Sequence, residues 1–174
     1  MSLILKRNAG CIIARYHKVD PLYVLRRPNS ENDPPNKRRQ QDRGADILDV
    51  NVGMPEINEE SMLSNAVFEI QSVVDLPLQI DTSDPVAMES ALRIYNGKPM
   101  INSVNGKEES MHTIFPLVKK YGGVVVGLTL DEEGIPATAE GRLAIAEKIV
   151  NTGAVYGVDK KDIIIDPLAM SVSA

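Results

Sequence analysis

From Gly44 onward, short apolar runs alternate with segments in which apolar residues recur every three or four positions. The short runs are rich in Val, Ile and Leu on successive positions, which is typical of strands buried on both faces of a parallel sheet. The pattern predicts five strands, near residues 46–52, 76–81, 98–103, 123–129 and 162–166. We therefore expect an α/β fold with parallel strands.

The segments between these runs are predicted to be helices, because their apolar residues follow i, i+3, i+4 spacing. Three of the predicted helices are preceded by a side chain that can cap the helix N-terminus: Asn58, Asp84 and Thr138. Pro116 lies inside the third helical segment, where it removes a hydrogen bond and should kink the helix. The order strand, helix, strand is thus repeated along the chain.

The composition is that of an ordinary soluble globular protein. Hydrophobic residues make up 43% of the 174 residues and charged residues 25%. No run is long enough for a membrane span, and no signal peptide is recognisable. Cys11 is the one cysteine, and with only His17 and His112 beside it the sequence offers no zinc-type ligand cluster. We expect a cytoplasmic protein without membrane association or a metal site.

The first 43 residues differ in charge from the rest. They hold ten Lys or Arg against four Asp or Glu, whereas residues 44–174 hold nine against twenty. The stretch RRPNSENDPPNKRRQQDRG has the composition of a linker or disordered segment. The basic charge could suit nucleic acid, but the segment contains no recognisable nucleic-acid-binding motif. We predict an atypical basic segment over 1–43, in which LILKRNAGCIIARY and PLYVL could supply one or two strands, and an α/β domain over 44–174.

Each predicted strand ends on a polar side chain. These residues are Asn51, Asp81, Asn102, Thr129 and Asp166. Ligands bind at the carboxyl ends of the strands in α/β folds, so we expect these side chains to face one pocket. Asp84 instead reads as a helix cap, because Pro85 follows it. The carboxylates of Asp81 and Asp166 directly follow apolar residues, and no Lys or Arg lies nearby in sequence to pair with them.

Carboxylates and amides without a metal suit a neutral heteroaromatic ring that carries several N–H donors. A carboxylate can accept a bidentate pair from a ring N–H and an adjacent exocyclic amine, while Asn both donates and accepts. Pterins and guanines have such an edge.

Four stretches of the chain resemble a known family. They are GADILDVNVGMPEINEESM, LPLQIDTSDPVAMESALRIYNGKPMINSVNGKEESM, GGVVVGLTLDEEGIPATAEGRLAIAEKIV and DIIIDPLAMSVSA. They are similar to the pterin-binding domain of cobalamin-dependent methionine synthase and related corrinoid methyltransferases, and the resemblance covers Gly44 to Ala174.

The resemblance implies a (β/α)8 barrel that binds 5-methyltetrahydrofolate at the C-terminal ends of the strands. Cob(I)alamin, carried on a corrinoid domain or protein as partner, would attack the N5 methyl group. The family's pterin-binding Asp, Asn and Asp fall on Asp81, Asn102 and Asp166. In this interpretation Asp166 forms two hydrogen bonds with the amino-pyrimidine edge of the pterin, and Asp81 interacts with the N8/N5 side. Asn102 orients the pterin or donates a hydrogen bond to it. Asp81 and Asn102 are the catalytic candidates, and Asn51 is a further substrate-binding candidate.

The chain departs from the family pattern at both ends. Only five strands precede Ala174 where a barrel needs eight, so we expect a partial barrel without the family's GVSN-like motif, and no GERIN-like strand opens the chain. One alternative is a truncated, non-catalytic fragment that self-associates as a homo-oligomer through open sheet edges, and we expect negligible methyl transfer from the chain alone. Another alternative is a dihydropteroate synthase-like enzyme, which the absence of Lys or Arg at the strand ends disfavours.

Overall fold

The computed structural model describes residues 4–8, 11–15, 45–53 and 58–169. The chain forms two compact units, Met1–Pro99 and Met100–Ala174. The first unit contains the strands β1 (Ile4–Asn8), β2 (Cys11–Arg15), β3 (Ile47–Val50) and β4 (Leu78–Asp81), and the helices α1 (Glu59–Gln71) and α2 (Pro85–Ile94). The second unit contains β5 (Met100–Asn105), α3 (Glu108–Tyr121), β6 (Val124–Leu128), α4 (Ala139–Val155), a 3-10 helix (Lys160–Asp162) and β7 (Ile163–Asp166).

In the first unit, β1 and β2 form an antiparallel pair, and β2, β3 and β4 then pair in parallel. The stretch LILKRNAGCIIARY therefore supplies two strands, as expected. The other candidate strand of the basic segment, PLYVL, lies outside the described residues. The expectation that part of residues 1–43 is linker or disordered stays a prediction.

The core of the first unit is formed by alternate residues of β3 and β4. Leu48 and Val50 lie opposite Leu78 and Ile80 in the parallel register, and all four are buried. The apolar faces of α1 and α2 are buried with them, including Leu63 and Met88, which are fully buried. Each such side chain contributes about 1.5–3 kcal/mol when it leaves water. The intervening residues of the two strands point to the face that the helices do not cover.

The predicted helix starts are confirmed. Each capping side chain accepts a hydrogen bond from a backbone N–H of the first turn: Asn58 from Ser61, Asp84 from Val86 and Thr138 from Gly141. The helix α3 continues through Pro116 and ends at Tyr121, and the next residue, Gly122, has a φ of 64°. That positive φ is the left-handed conformation that glycine adopts without strain.

In the second unit, β5, β6 and β7 pair in parallel. A Cβ atom built on Gly127 would lie 3.1 Å from Cγ2 of Ile149 in α4, so this position of β6 faces the helix. Its neighbours Val126 and Leu128 therefore point to the opposite face. All five strands predicted from residue 44 onward are present, and those of the five that pair within one unit are parallel, as expected of an α/β fold.

Candidate functional site

Asp81 and Asn51 are brought together at the end of the β3–β4 pair. Asp81 is the last residue of β4, and Asn51 directly follows β3. Nδ2 of Asn51 donates to Oδ2 of Asp81 over 2.9 Å, while its Oδ1 accepts from the backbone N–H of Gly53 over 3.0 Å. Both ends of the Asn51 amide are thus used, so its orientation is set. Asn51 holds the Asp81 carboxylate in place.

A second polar pair lies one row deeper on the same face. Asp49 and Gln79 are opposite each other across β3 and β4, and only 3% and 4% of their surfaces are exposed. Nε2 of Gln79 donates to Oδ1 of Asp49 over 2.6 Å. This pair is not among the site residues predicted from the sequence, because those are polar residues that follow the end of an apolar run. The period of two along a strand, from 49 to 51 and from 79 to 81, is the signal that would have found it.

Thr82 fixes the loop that follows Asp81. Thr82 is buried, and its hydroxyl donates to Oε1 of Glu59 in the first turn of α1. The hydroxyl oxygen of Thr82 also accepts from the backbone N–H of Asp84 over 3.0 Å. Asp84 itself caps α2, as predicted from Pro85. The segment IDTSD is therefore held at both of its neighbouring helices, which limits the movement of Asp81.

In the second unit, Asn102 lies inside β5 rather than at its end. The strand extends through Asn105, because backbone pairing with β6 continues past the polar residues and Val104 is fully buried. The prediction that Asn102 ends its strand is therefore wrong. Asn102 is in register with Val126, and so points to the face that α4 does not cover.

Asp166 is the last residue of β7 and is in register with Leu128. It therefore lies on the same face as Asn102 and two residues nearer the C-terminal edge. Oδ1 of Asp166 accepts from the backbone N–H of Leu168 over 2.8 Å. Because each carboxylate oxygen accepts two hydrogen bonds, this contact still leaves acceptor capacity on both oxygens.

Thr129 supports the end of β7. It is 1% exposed, and its backbone N–H and hydroxyl both donate to the backbone carbonyl of Asp166, over 3.1 and 3.2 Å. The structure thus places Thr129, which the sequence suggested as a pocket residue, in a positioning role. The prediction that all five strand-end side chains face one pocket stays a prediction.

Arg142 lies at the end of β7 although it belongs to α4. Its Nε donates to the carbonyl of Pro136 over 2.9 Å and its Nη1 to the carbonyl of Pro167 over 2.8 Å. The expectation that no Arg or Lys lies at the strand ends is therefore wrong for β7. Sequence inspection missed this cation because it is carried by a distant helix, 24 residues before Asp166. Its contacts brace the loop that follows the strand.

The loop after β5 is held to α4 by Lys148. Nζ of Lys148 lies 2.8 Å from Oε1 of Glu108 and donates to the carbonyl of Gly106 over 2.7 Å. The hydrogen bond with Glu108 raises the pKa of Lys148 above its ordinary value. On the neighbouring loop, backbone N–H groups of Glu132 and Glu108 lower the pKa of the Glu132 carboxyl. These groups stabilise loop conformation rather than forming an acid–base pair.

The part of the chain that the structure describes holds neither a cluster of metal-binding side chains nor a membrane-spanning helix. Its described residues contain no group of three or more His, Cys, Asp and Glu side chains that could hold a metal ion. None of the helices among them is both long enough and apolar enough to cross a membrane.

Comparison with known proteins links these features to a family. A family model for pterin binding enzymes matches residues 35–173. The chain is 31% identical over 137 residues to a methionine synthase of Mycobacterium tuberculosis (strain ATCC 25618 / H37Rv), covering 75% of this chain and 11% of the relative. It is also 31% identical over 137 residues to a methylcorrinoid:tetrahydrofolate methyltransferase of Eubacterium limosum, covering 77% of this chain and 50% of the relative. The chain thus spans a ninth of the first relative and half of the second.

Two solved structures share the fold. The 7,8-dihydropteroate synthase of Vibrio fischeri ES114 is similar with a TM-score of 0.57 and 18% identity, over 75% of this chain and 53% of that chain. The dihydropteroate synthase of Xanthomonas albilineans, solved in complex with indole-2-carboxylic acid and 6-chloroguanine, has a TM-score of 0.57 and 24% identity, over 75% of this chain and 50% of that one. The fold class is therefore α/β of the (β/α)8-barrel type, of which the chain covers a part.

Proposed function

The chain belongs to the family of pterin binding enzymes, and from that premise we propose that it binds 5-methyltetrahydrofolate and presents the N5 methyl group to a corrinoid cofactor. The corrinoid would be carried by a separate domain or protein and would supply the nucleophile. This chain would supply the pterin site. One relative at 31% identity is a methylcorrinoid:tetrahydrofolate methyltransferase and another is a methionine synthase, which supports methyl transfer as the reaction.

The observation that carries the proposal is the Asp81 carboxylate held by Asn51. A carboxylate at a strand end, oriented by a hydrogen bond of 2.9 Å, is a preorganised acceptor for an N–H donor or for a water molecule that contacts the ring. In our proposal Asp81 faces the N8/N5 side of the pterin. The Xanthomonas albilineans enzyme, which is similar in fold, was solved in complex with 6-chloroguanine, a bicyclic ring that carries a 2-amino group as a pterin does.

Asp166 and Asn102 are proposed to take the other contacts. Asp166 keeps acceptor capacity on both carboxylate oxygens, which suits the paired N–H donors of the amino-pyrimidine edge. Asn102, on the same face, is proposed to orient the ring by donating or accepting a hydrogen bond. An amide does not titrate near neutral pH, so Asn102 would act by position and not as a proton reservoir.

The chemistry explains why these groups are needed. As the methyl group leaves N5 with its bonding pair remaining on nitrogen, N5 develops negative charge unless it gains a proton or a strong hydrogen bond. Groups that fix the ring and supply or relay a donor to N5 therefore lower the barrier. The residues of this chain act by orientation and electrostatics.

The proposal is tested by calorimetric titration of the full chain with 5-methyltetrahydrofolate. We expect saturable binding, with Asp166→Ala weakening it more than Asn102→Ala, because two ring donors left unpaired in a desolvated site cost about 1–3 kcal/mol. Glu147→Ala removes an exposed carboxylate of α4 and is the matched control, with no expected effect. Absence of binding by the folded wild-type chain would refute the proposal.

A dihydropteroate synthase-like function remains the second candidate, favoured by the likeness in fold to two such enzymes. It is separated from the first by a titration with a dihydropterin that carries a pyrophosphate group. Tighter binding of that compound than of 5-methyltetrahydrofolate would favour this second candidate.

A further inference from the structure

The buried pair Asp49–Gln79 contains an unexplained acceptor. Gln79 is 4% exposed, and its Oε1 has no hydrogen-bond partner among the residues that the structure describes. A buried acceptor of this kind costs free energy unless a donor reaches it, so native proteins supply one from the chain, from water or from a ligand.

The orientation of this acceptor is set by its neighbour. Nε2 of Gln79 donates to Oδ1 of Asp49 over 2.6 Å. A carboxylate accepts hydrogen bonds and does not donate them, so turning the amide over would place two oxygen atoms against each other. The Asp49 carboxylate therefore keeps the Gln79 carbonyl directed away from itself, and Gln79 offers an acceptor only.

Gln79 also lies on the face of the sheet that carries Asp81. The two residues are two positions apart in β4, which separates their Cα atoms by about 6.6 Å along one face. Leu78 and Ile80 point instead to the face that the helices α1 and α2 cover. A bicyclic ring whose one edge lies at Asp81 is long enough to reach the side-chain carbonyl of Gln79 on the same face of β4.

We propose that Gln79 makes the site select reduced pterins, by accepting a hydrogen bond from N8–H. The inference rests on the proposed function, in which Asp81 faces the N8/N5 side of the ring. In 5-methyltetrahydrofolate N5 carries the methyl group, so N8–H is the one ring N–H on that side; Gln79 would accept it, and Asp81 would act on N5 through a water molecule. N8 carries hydrogen in dihydro- and tetrahydropterins, whereas in a fully oxidised pterin it is an aromatic nitrogen with a lone pair. An acceptor-only group attracts the first and repels the second. Gln79 would be a specificity residue, since it takes no part in moving the methyl group.

The test compares the affinities of two ligands, 5-methyltetrahydrofolate and folic acid, for the wild-type chain and for Gln79→Met. We expect the wild type to prefer the reduced ligand, and Gln79→Met to lower that preference about tenfold, the effect of one lost hydrogen bond to a buried group. Ile80→Val, on the helix-covered face of the same strand, is the matched control and should keep the wild-type ratio.

A second measurement needs no variant. A tetrahydrofolate analogue with carbon in place of N8 should bind the wild-type chain about tenfold more weakly than tetrahydrofolate does. This comparison decides the question alone if Gln79→Met does not fold.

The outcomes separate the two proposals. An unchanged ligand ratio in a folded Gln79→Met, or equal binding of the analogue by the wild type, would overturn the role of Gln79 and leave the proposed function standing. A folded wild-type chain that binds neither reduced nor oxidised folate would overturn both.

Discussion

Replacing Gly153 by alanine should destabilise the second unit, although alanine favours helices more than glycine does. Gly153 is buried in α4, and a Cβ atom there would lie 2.8 Å from Cδ1 of Ile163 and 3.1 Å from Cε1 of Phe115. Overpacking of this kind costs about 1–3 kcal/mol. The helix gains about 0.5–1 kcal/mol from the exchange of Gly for Ala. We therefore expect a net loss of about 1.2 kcal/mol in the free energy of unfolding from the middle of each range, and of about 2.5 kcal/mol at most.

The loss is measured by urea unfolding followed by far-ultraviolet circular dichroism. Ala154→Gly is the matched control, because the neighbouring Ala154 is exposed and its replacement tests helix propensity in the same turn without a packing change. That control should lose about 0.5–1 kcal/mol. If Gly153→Ala were more stable than the wild type, the side chains of Ile163 and Phe115 would have to move aside freely. The assumption of rigid packing at the start of β7 would then be wrong.

Two further variants, and one control variant, test the site and a loop. Asn51→Ala removes the hydrogen bond to Asp81, and we expect the affinity for 5-methyltetrahydrofolate to fall about tenfold in calorimetry; unchanged affinity would contradict the positioning role of Asn51. Lys148→Met should cost at most about 1 kcal/mol in urea unfolding, since its side chain is partly exposed, whereas Lys161→Met, at an exposed ion pair, should cost nothing measurable. Because the pKa of Lys148 is raised in the folded chain, its contribution is complete at neutral pH and is lost as the pH rises past the ordinary lysine pKa and through the raised one. A cost of Lys148→Met that stayed the same at strongly alkaline pH would refute this assignment.

The parts of the fold that sequence predicts well are those with local causes. The capping side chains of Asn58, Asp84 and Thr138 bind N–H groups within three residues, so their signal is complete in a short window of sequence. The five strands are likewise found because each contains several aliphatic residues, many of them β-branched, within a few successive positions.

The end of β5 was missed for a non-local reason. In INSVN the polar residues suggested that the strand stops at Asn102, but the backbone hydrogen bonds that define the strand come from β6 and do not depend on side-chain polarity. Val104 anchors the continuation in the core. The position of Arg142 at the end of β7 was missed for a similar reason, because the contact joins residues far apart in sequence.

The deeper polar row shows what an apolar run conceals. The sequence predicts strands buried on both faces, because most of their successive residues are apolar. In β3 and β4, however, Asp49 and Gln79 occupy the alternate positions, and they are as well buried as the leucines beside them. Burial alone therefore does not say what covers a face. The face with Leu48 and Leu78 is covered by helices, whereas a face that carries a hydrogen-bonded carboxylate and amide requires polar partners. Such partners are what a ring with N–H donors provides, and this favours reading the whole alternate face, not only its rim, as the ligand side of the sheet.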